Sequence, residues 1–154
     1  MKPFLLLLLA AGFAFPAGDP AGFHIWKAAE LKAFPSTLAS KLGTANMTSQ
    51  PVANLGNYTF SVVLRKESGG AEMHETQADI FVITAGEGTL TIGGTIPDGK
   101  TTQPHEIRGT SITGGTDQKI AAGDVLTVPA KMAHQMKLER GKEISYLAIK
   151  VTQE

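Results

Sequence analysis

AEMHETQADIFVITAGEGTLTI, residues 71–92, is the stretch that decides the reading of this chain. Its β-branched and aromatic residues come in short runs broken by glycine, the composition of strands joined by tight turns. Ala71 to Glu75 reads as one strand, Asp79 to Thr84 as the next, and Ala85-Gly86-Glu87-Gly88 as a turn into a third over Thr89 to Ile92. Alternate side chains on a strand leave the same face, so Glu72 and His74 project together, and Asp79 carries Phe81 and Ile83 with it. Two ligand-type side chains on one face of one strand suit a single metal ion.

The same grammar extends outward. Tyr58 to Leu64 is a strand upstream, and Lys119–Ala121, Val125–Val128, His134–Leu138 and Ile144–Val151 are strands downstream, separated by Gly, Pro and Asp turns. Gly93 to Thr116 is polar and glycine-rich and reads as a long loop or irregular hairpin across the mouth of a barrel. The N-terminal part differs: apolar residues at Trp26, Ala29, Leu31, Leu38 and Leu42 with lysines between them predict a helix broken near Pro35, Ser36 capping a second short helix beyond it. Gly43 to Pro51 reads as a polar connection. Residues 1–18 have one lysine, then an apolar run that ends among small residues, the pattern of a cleaved signal peptide. The apolar run is shorter than the roughly 20 residues of a membrane span. The organisation expected is therefore a leader over 1–18, a helical segment over 19–50 and one all-β barrel domain over 51–154.

With 154 residues and 17 glycines the chain has room for one domain with a core. Lys and Arg number 14, as do Asp and Glu, and no basic block exists to neutralise phosphates, which argues against nucleic acid as a partner. Cysteine is absent, which removes disulfides, thiolate nucleophiles and Cys-ligated zinc. No Gly-x-Ser-x-Gly elbow points to a serine hydrolase. After removal of the leader nothing marks a membrane partner, and the protein is expected to be periplasmic or secreted.

A fold that closes the sheet brings His134 to Glu72 and His74, with Asp79 the nearest further acid. A lone strand histidine is ordinarily a half-buried polar residue, and a glutamate beside a turn is ordinarily solvated; the joint pattern is what points to metal. Two histidines and two carboxylates favour iron(II) or manganese(II) over copper and leave nickel and zinc open. Should Asp79 not reach the ion, Glu72, His74 and His134 form a two-His, one-carboxylate face, with Asp79 orienting a ring N–H from behind.

These spacings resemble the cupin superfamily, whose motifs read Gly-x5-His-x-His-x3,4-Glu-x6-Gly and Gly-x5-Pro-x-Gly-x2-His-x3-Asn. The resemblance covers about residues 58 to 151. Glu72 stands at the first histidine position, His74 at the second, Asp79 at the glutamate and Gly86 at the closing glycine; Gly123, Pro129 and His134 match the second motif. Lys66, Lys131 and Leu138 depart from it. The phrasing around His74–Val82, Glu106–Ile112 and Gly123–Val125 is similar to small secreted or periplasmic single-domain cupins. The resemblance implies a small jelly-roll β-barrel with its metal ligands at Glu72, His74, Asp79 and His134, and a fold that hosts enzymes and plain binders alike.

The function expected is metal-dependent chemistry on a small molecule outside the cytoplasm, with Glu72 a general base if it is not a ligand. Phe81, Met136, Arg65 and His105 are the candidate substrate-pocket residues, and Glu106 and Arg108 join His105 in a candidate lid. Two rivals are a non-catalytic barrel that holds a small ligand and a barrel with a purely structural metal. A homodimer through sheet edges suits the fold.

Overall fold

The computed structural model describes residue 20 and residues 22–153; the leader expected over 1–18 lies outside them. Among the described residues, no helix is long and apolar enough to cross a membrane. One helix, α1 (Ala28–Leu42), precedes ten strands: β1 (Met47–Asn54), β2 (Tyr58–Arg65), β3 (Ala71–His74), β4 (Gln77–Ile92), β5 (Lys100–Gln103), β6 (Glu106–Gly109), β7 (Thr116–Ala121), β8 (Val125–Val128), β9 (His134–Lys137) and β10 (Ile144–Thr152). The ladders between these strands are antiparallel, and the main path runs β1-β2-β10-β4-β9-β3-β6-β5, with β7 and β8 also on β4.

β4 holds the two halves together. Its first part pairs with β10 and β8, its second with β7 and β9. The turn expected over residues 85–88 is instead a bend inside one 16-residue strand. Ala85 is opposite Ser145 and Ile83 opposite Tyr146, so Thr84 is an extra residue between them, the usual device by which a strand turns from one sheet into another. Gly86 makes the bend feasible. Its φ is 77°, and a β-carbon there would lie 2.0 Å from the Glu143 carbonyl oxygen.

The curled sheet is apolar on both faces. Inside, Val63, Phe81, Ile83, Leu90, Ile120, Val128, Met136, Ile144 and Tyr146 form one cluster. Outside, Val62, Leu64 and Leu147 pack with Leu38 of α1, flanked by Phe34, Phe60, Val82 and Ile149. This two-sided burial explains why β2 reads YTFSVVLR rather than as a polar and apolar alternation: odd and even residues each meet a core.

Two local expectations are corrected, and a third, the long loop or irregular hairpin over 93–116, resolves to the hairpin. α1 runs unbroken through Pro35, and Ser36 starts no new helix; its hydroxyl donates to the Ala33 carbonyl oxygen at 2.9 Å. A mid-helix proline forfeits one hydrogen bond and costs about 3 kcal/mol, but burying the side chains of Leu38 and Leu42 returns about 1.5–3 kcal/mol each. The polar connection ends early, because β1 begins at Met47 and pairs with β2. Pro51 is tolerated there because β1 is an edge strand, and the register shifts beside it, between Pro51 and Ala53. The long loop over 93–116 contains the β5–β6 hairpin, and β6 lies along all of β3 as a sheet member. Asp98 ties its base, accepting hydrogen bonds from the Thr110 backbone N–H and hydroxyl.

Leu38 is fully buried between helix and sheet. Leu38→Ala is expected to cost about 2–5 kcal/mol in urea unfolding, the range for a buried leucine truncated to alanine. A loss below about 0.5 kcal/mol would mean that α1 is not part of the folded unit.

Candidate metal centre

Strand register builds the centre. Across β3 and β9, Glu72 is directly opposite His134; across β3 and β6, His74 is opposite Glu106 and Glu72 opposite Arg108; across β4 and β10, Asp79 is opposite Lys150. Directly opposed residues in an antiparallel ladder share a face, so these side chains gather at one end of the curl, Arg108 and Lys150 reaching toward solvent. His74, Asp79 and His134 are 3%, 1% and 2% exposed.

The polar atoms converge closely. Asp79 Oδ2 lies 3.0 Å from His74 Nε2 and 3.2 Å from His134 Nε2, and Glu72 Oε1 lies 3.4 Å from His134 Nε2. Glu72, His74 and His134 each present one ligand atom within 4.8 Å of the others. All four residues expected at the site are thus brought together.

The tautomers follow from the outer partners. His74 Nδ1 contacts the Glu106 carboxylate, which only accepts, so the ring donates from Nδ1 and turns its Nε2 lone pair inward. His134 Nδ1 lies 3.2 Å from the Met132 carbonyl oxygen, with the same consequence. Two imidazole lone pairs therefore face two carboxylates. His134 Nε2 is wholly buried and makes no well-formed hydrogen bond. Acceptors gathered around one point need a cation or a proton between them, and divalent metal ligation meets that need with neutral imidazoles and ionised carboxylates. Neighbouring ligands about 2.1 Å from one ion stand about 3.0–3.4 Å apart, which the Asp79–His74, Asp79–His134 and Glu72–His134 separations match. The residues fit a divalent ion.

Charges within the cluster hold its acids ionised. Burial pushes the Glu72 carboxyl up, but the 3.4 Å contact with His134 and the charges of His134, Arg108 and His74 outweigh it, leaving the group at about 2. Burial acts on Asp79 in the same sense, and the close contacts of His134 and His74 at Oδ2, with the Lys150 ammonium at Oδ1, hold it far below the usual carboxylate range. Burial lowers His134, while Asp79 and Glu72 raise it more, to about 9, so without a metal a proton on His134 takes the place among the acceptors that an ion would fill.

Three participants were not read from the sequence as parts of the metal site. Lys150 Nζ lies 2.7 Å from Asp79 Oδ1 and 2.7 Å from His74 Nε2. Its phase was the available signal, since Ile144, Tyr146, Ala148 and Lys150 share one face of β10. Glu106, considered only as a lid residue, braces His74 from behind, and Arg108 binds Glu72 Oε2 at 2.8 Å as well as Glu106. That arrangement depends on the β3–β6 register, which no local pattern announces.

The four pocket candidates divide. Phe81 and Met136 are buried beneath the centre, the Phe81 ring 6.1 Å from that of His134. Arg65 is opposite Ile144 on β10 whereas Lys150 is opposite Thr59, which places the Arg65 backbone about 20 Å along the strand from the level of Lys150. His105, at φ 64°, pairs with Glu75 at 3.0 Å beside a surface cavity lined by Met73 and Lys131, on the other face of β3. The structure does not bring Arg65 or His105 to the cluster.

Comparison with known proteins agrees with the topology. No protein-family model and no curated protein matches the sequence. Among solved structures, it is similar to a double-stranded beta-helix domain protein from Klebsiella pneumoniae, with TM-score 0.54 and 10% identity, covering 73% of this chain and 82% of that one. A cupin-2 domain from Rhodospirillum rubrum gives TM-score 0.51 at 14% identity, over 71% of this chain and 62% of that one. This chain has the cupin fold. The polyketide cyclase RemF from Streptomyces resistomycificus shares it, with TM-score 0.50 and 13% identity over 69% of this chain and 65% of that one. At these identities the cupin likeness concerns the fold, and the chemistry rests on the side chains just described.

A pH test follows from Glu72. With its carboxyl at about 2 against 4.5 in an unfolded chain, the unfolded state binds more protons, so this stabilisation is complete above pH 4.5 and is lost as pH falls through about 2. In chelator-treated protein, Glu72→Gln should flatten the fall in urea midpoint between about pH 5 and about pH 3. An unchanged slope would show that Glu72 is not held ionised by the cluster.

Proposed function

We propose that this cupin barrel binds a divalent metal and uses it in an enzymatic reaction on a small molecule outside the cytoplasm. One observation carries the metal: the inward Nε2 lone pairs of two buried histidines, each braced at Nδ1 by an acceptor, meet the oxygens of Asp79 and Glu72. His74, His134 and Glu72 would hold the ion, with Asp79 the fourth ligand or the group that orients the rings. The imidazole and carboxylate donor set favours iron(II) or manganese(II), with nickel and zinc as alternatives. When bound, the ion supplies Lewis acidity or an oxygen-binding position.

The protein's own groups then have definite tasks. Glu106 fixes the His74 tautomer, and Arg108 holds Glu72 by one oxygen while the other faces the histidines. If Glu72 leaves the ion, its ionised carboxylate is a general base at the mouth, and Phe81 below His134 keeps water out of the floor. The location outside the cytoplasm is inferred from the leader pattern of residues 1–18.

Plasma mass spectrometry on tag-free protein purified without chelators is expected to find near-stoichiometric iron, manganese, nickel or zinc. The His74→Ala, His134→Ala double variant should lose it. A wild-type protein that carries no metal and takes up none on addition would remove the enzyme reading and leave a barrel that holds its ligand by polar contacts. Removing the brace is a finer probe: Glu106→Gln should weaken metal affinity about 10–100-fold, as loss of a hydrogen-bond partner behind a ligating histidine does. Equal affinity in a titration against a chromophoric chelator would show that Glu106 does not orient His74.

A further inference from the structure

His74 Nε2 has a single lone pair, and Lys150 Nζ stands 2.7 Å from it. Because His74 Nδ1 already donates to Glu106, that lone pair accepts a hydrogen bond from the ammonium. A metal ion needs the same lone pair. With Asp79 as fourth ligand it also takes that carboxylate, whose Oδ1 is 2.7 Å from the same ammonium. The ammonium and a divalent ion therefore compete for His74 and Asp79, and two cations this close in a buried site repel strongly.

We propose that Lys150 is a tethered cation that fills the metal position in the metal-free protein and is expelled by the ion; this rests on the metal reading above. Three features support a movable side chain. Lys150 belongs to β10, whose backbone is held by β2 and β4 on its two sides, so the backbone stays while the four-carbon stem swings. The Lys150 side chain is 34% exposed, whereas Asp79 beneath it is 1% exposed, so the ammonium has a path to water that the carboxylate lacks. The ammonium is held by two contacts, to His74 Nε2 and to Asp79 Oδ1, and an ion that takes the His74 lone pair removes the first of them.

Lys150 thereby sets how tightly the metal is held. It lowers affinity, because expelling it costs two short polar contacts, and it stabilises the metal-free barrel by supplying positive charge to buried Asp79. A positively charged side chain displaced to the mouth is then next to the bound ion.

The test is isothermal titration of manganese(II), and separately zinc(II), into chelator-treated wild type, Lys150→Met and Lys150→Arg, with thermal midpoints measured before and after metal. Lys150→Met keeps most of the length of the side chain and removes its charge. It should bind metal at least about tenfold tighter than wild type. Its metal-free midpoint should fall below that of wild type, and added metal should raise it by more than it raises wild type. Lys150→Arg, which retains the charge, should stay within about threefold of wild type. If Lys150→Met is unfolded without metal, folding on addition of manganese, read by circular dichroism, supports the proposal in the same way. Equal or weaker affinity in Lys150→Met would overturn it while leaving the metal site in place. Failure of all three proteins to bind either ion would overturn both it and the metal reading.

Discussion

Glu72 faces His134 across one ladder, His74 faces Glu106 across another, and Asp79 faces Lys150 across a third. The centre exists only while these registers hold. Side-chain direction in a strand alternates with period two, so a slip of one residue in any ladder would turn one partner to the opposite face. The registers are in turn set by what lies below: Phe81, Ile83, Met136, Ile144 and Tyr146 occupy the inward phase of the same strands that carry Asp79, His134 and Lys150. A polar cluster of this kind is expensive to bury, and the apolar core beneath it specifies its alignment.

β4 carries this logic from one half of the molecule to the other. A strand that pairs with β10 at one end and with β7 and β9 at the other must bend, and it bends where Gly86 lets the Glu143 carbonyl approach closer than any β-carbon permits. Through that bend Asp79, near the start of β4, and Ile92, at its end and opposite His134, belong to one continuous chain segment. The outer face is closed by α1, which seats Leu38 and Leu42 on the sheet and makes the helical segment part of the same folding unit.

Charge organises the centre in layers. Innermost, two imidazole nitrogens and two carboxylates meet; behind them Glu106 and the Met132 carbonyl hold the rings by Nδ1; outermost, Arg108 and Lys150 supply positive charge to Glu72 and Asp79. Each layer limits what the next can do. The Nδ1 contacts turn both Nε2 atoms inward, and His134, with Arg108 at Glu72 and Lys150 at Asp79, keeps the carboxylates ionised where burial alone would protonate them. A cupin fold at this level of sequence identity is compatible with many chemistries, so it is this layering, more than the topology, that bears on function.

Much of this was legible in the residues themselves. Period-two alternation placed Glu72 with His74 and Asp79 with Phe81 and Ile83, glycine and proline marked most strand boundaries, and the spacing from Gly123 to His134 pointed to the second half of the centre. These are local signals, and local backbone geometry is what they report. Pro35 and the residues 85–88 were misread for the same reason. A proline or a glycine pair announces a break, but burial of Leu38 carries the helix through one, and sheet pairing on both sides turns the other into a bend. Lys150 and Glu106 belong to the centre because β10 lies beside β4 and β6 beside β3. That adjacency joins residues far apart in the chain, and their interaction energy depends on the distance that the closed sheet creates. Sequence by itself determined which side chains share a face of each strand; only the tertiary structure decided which faces meet, because register is settled by the packing of the whole core.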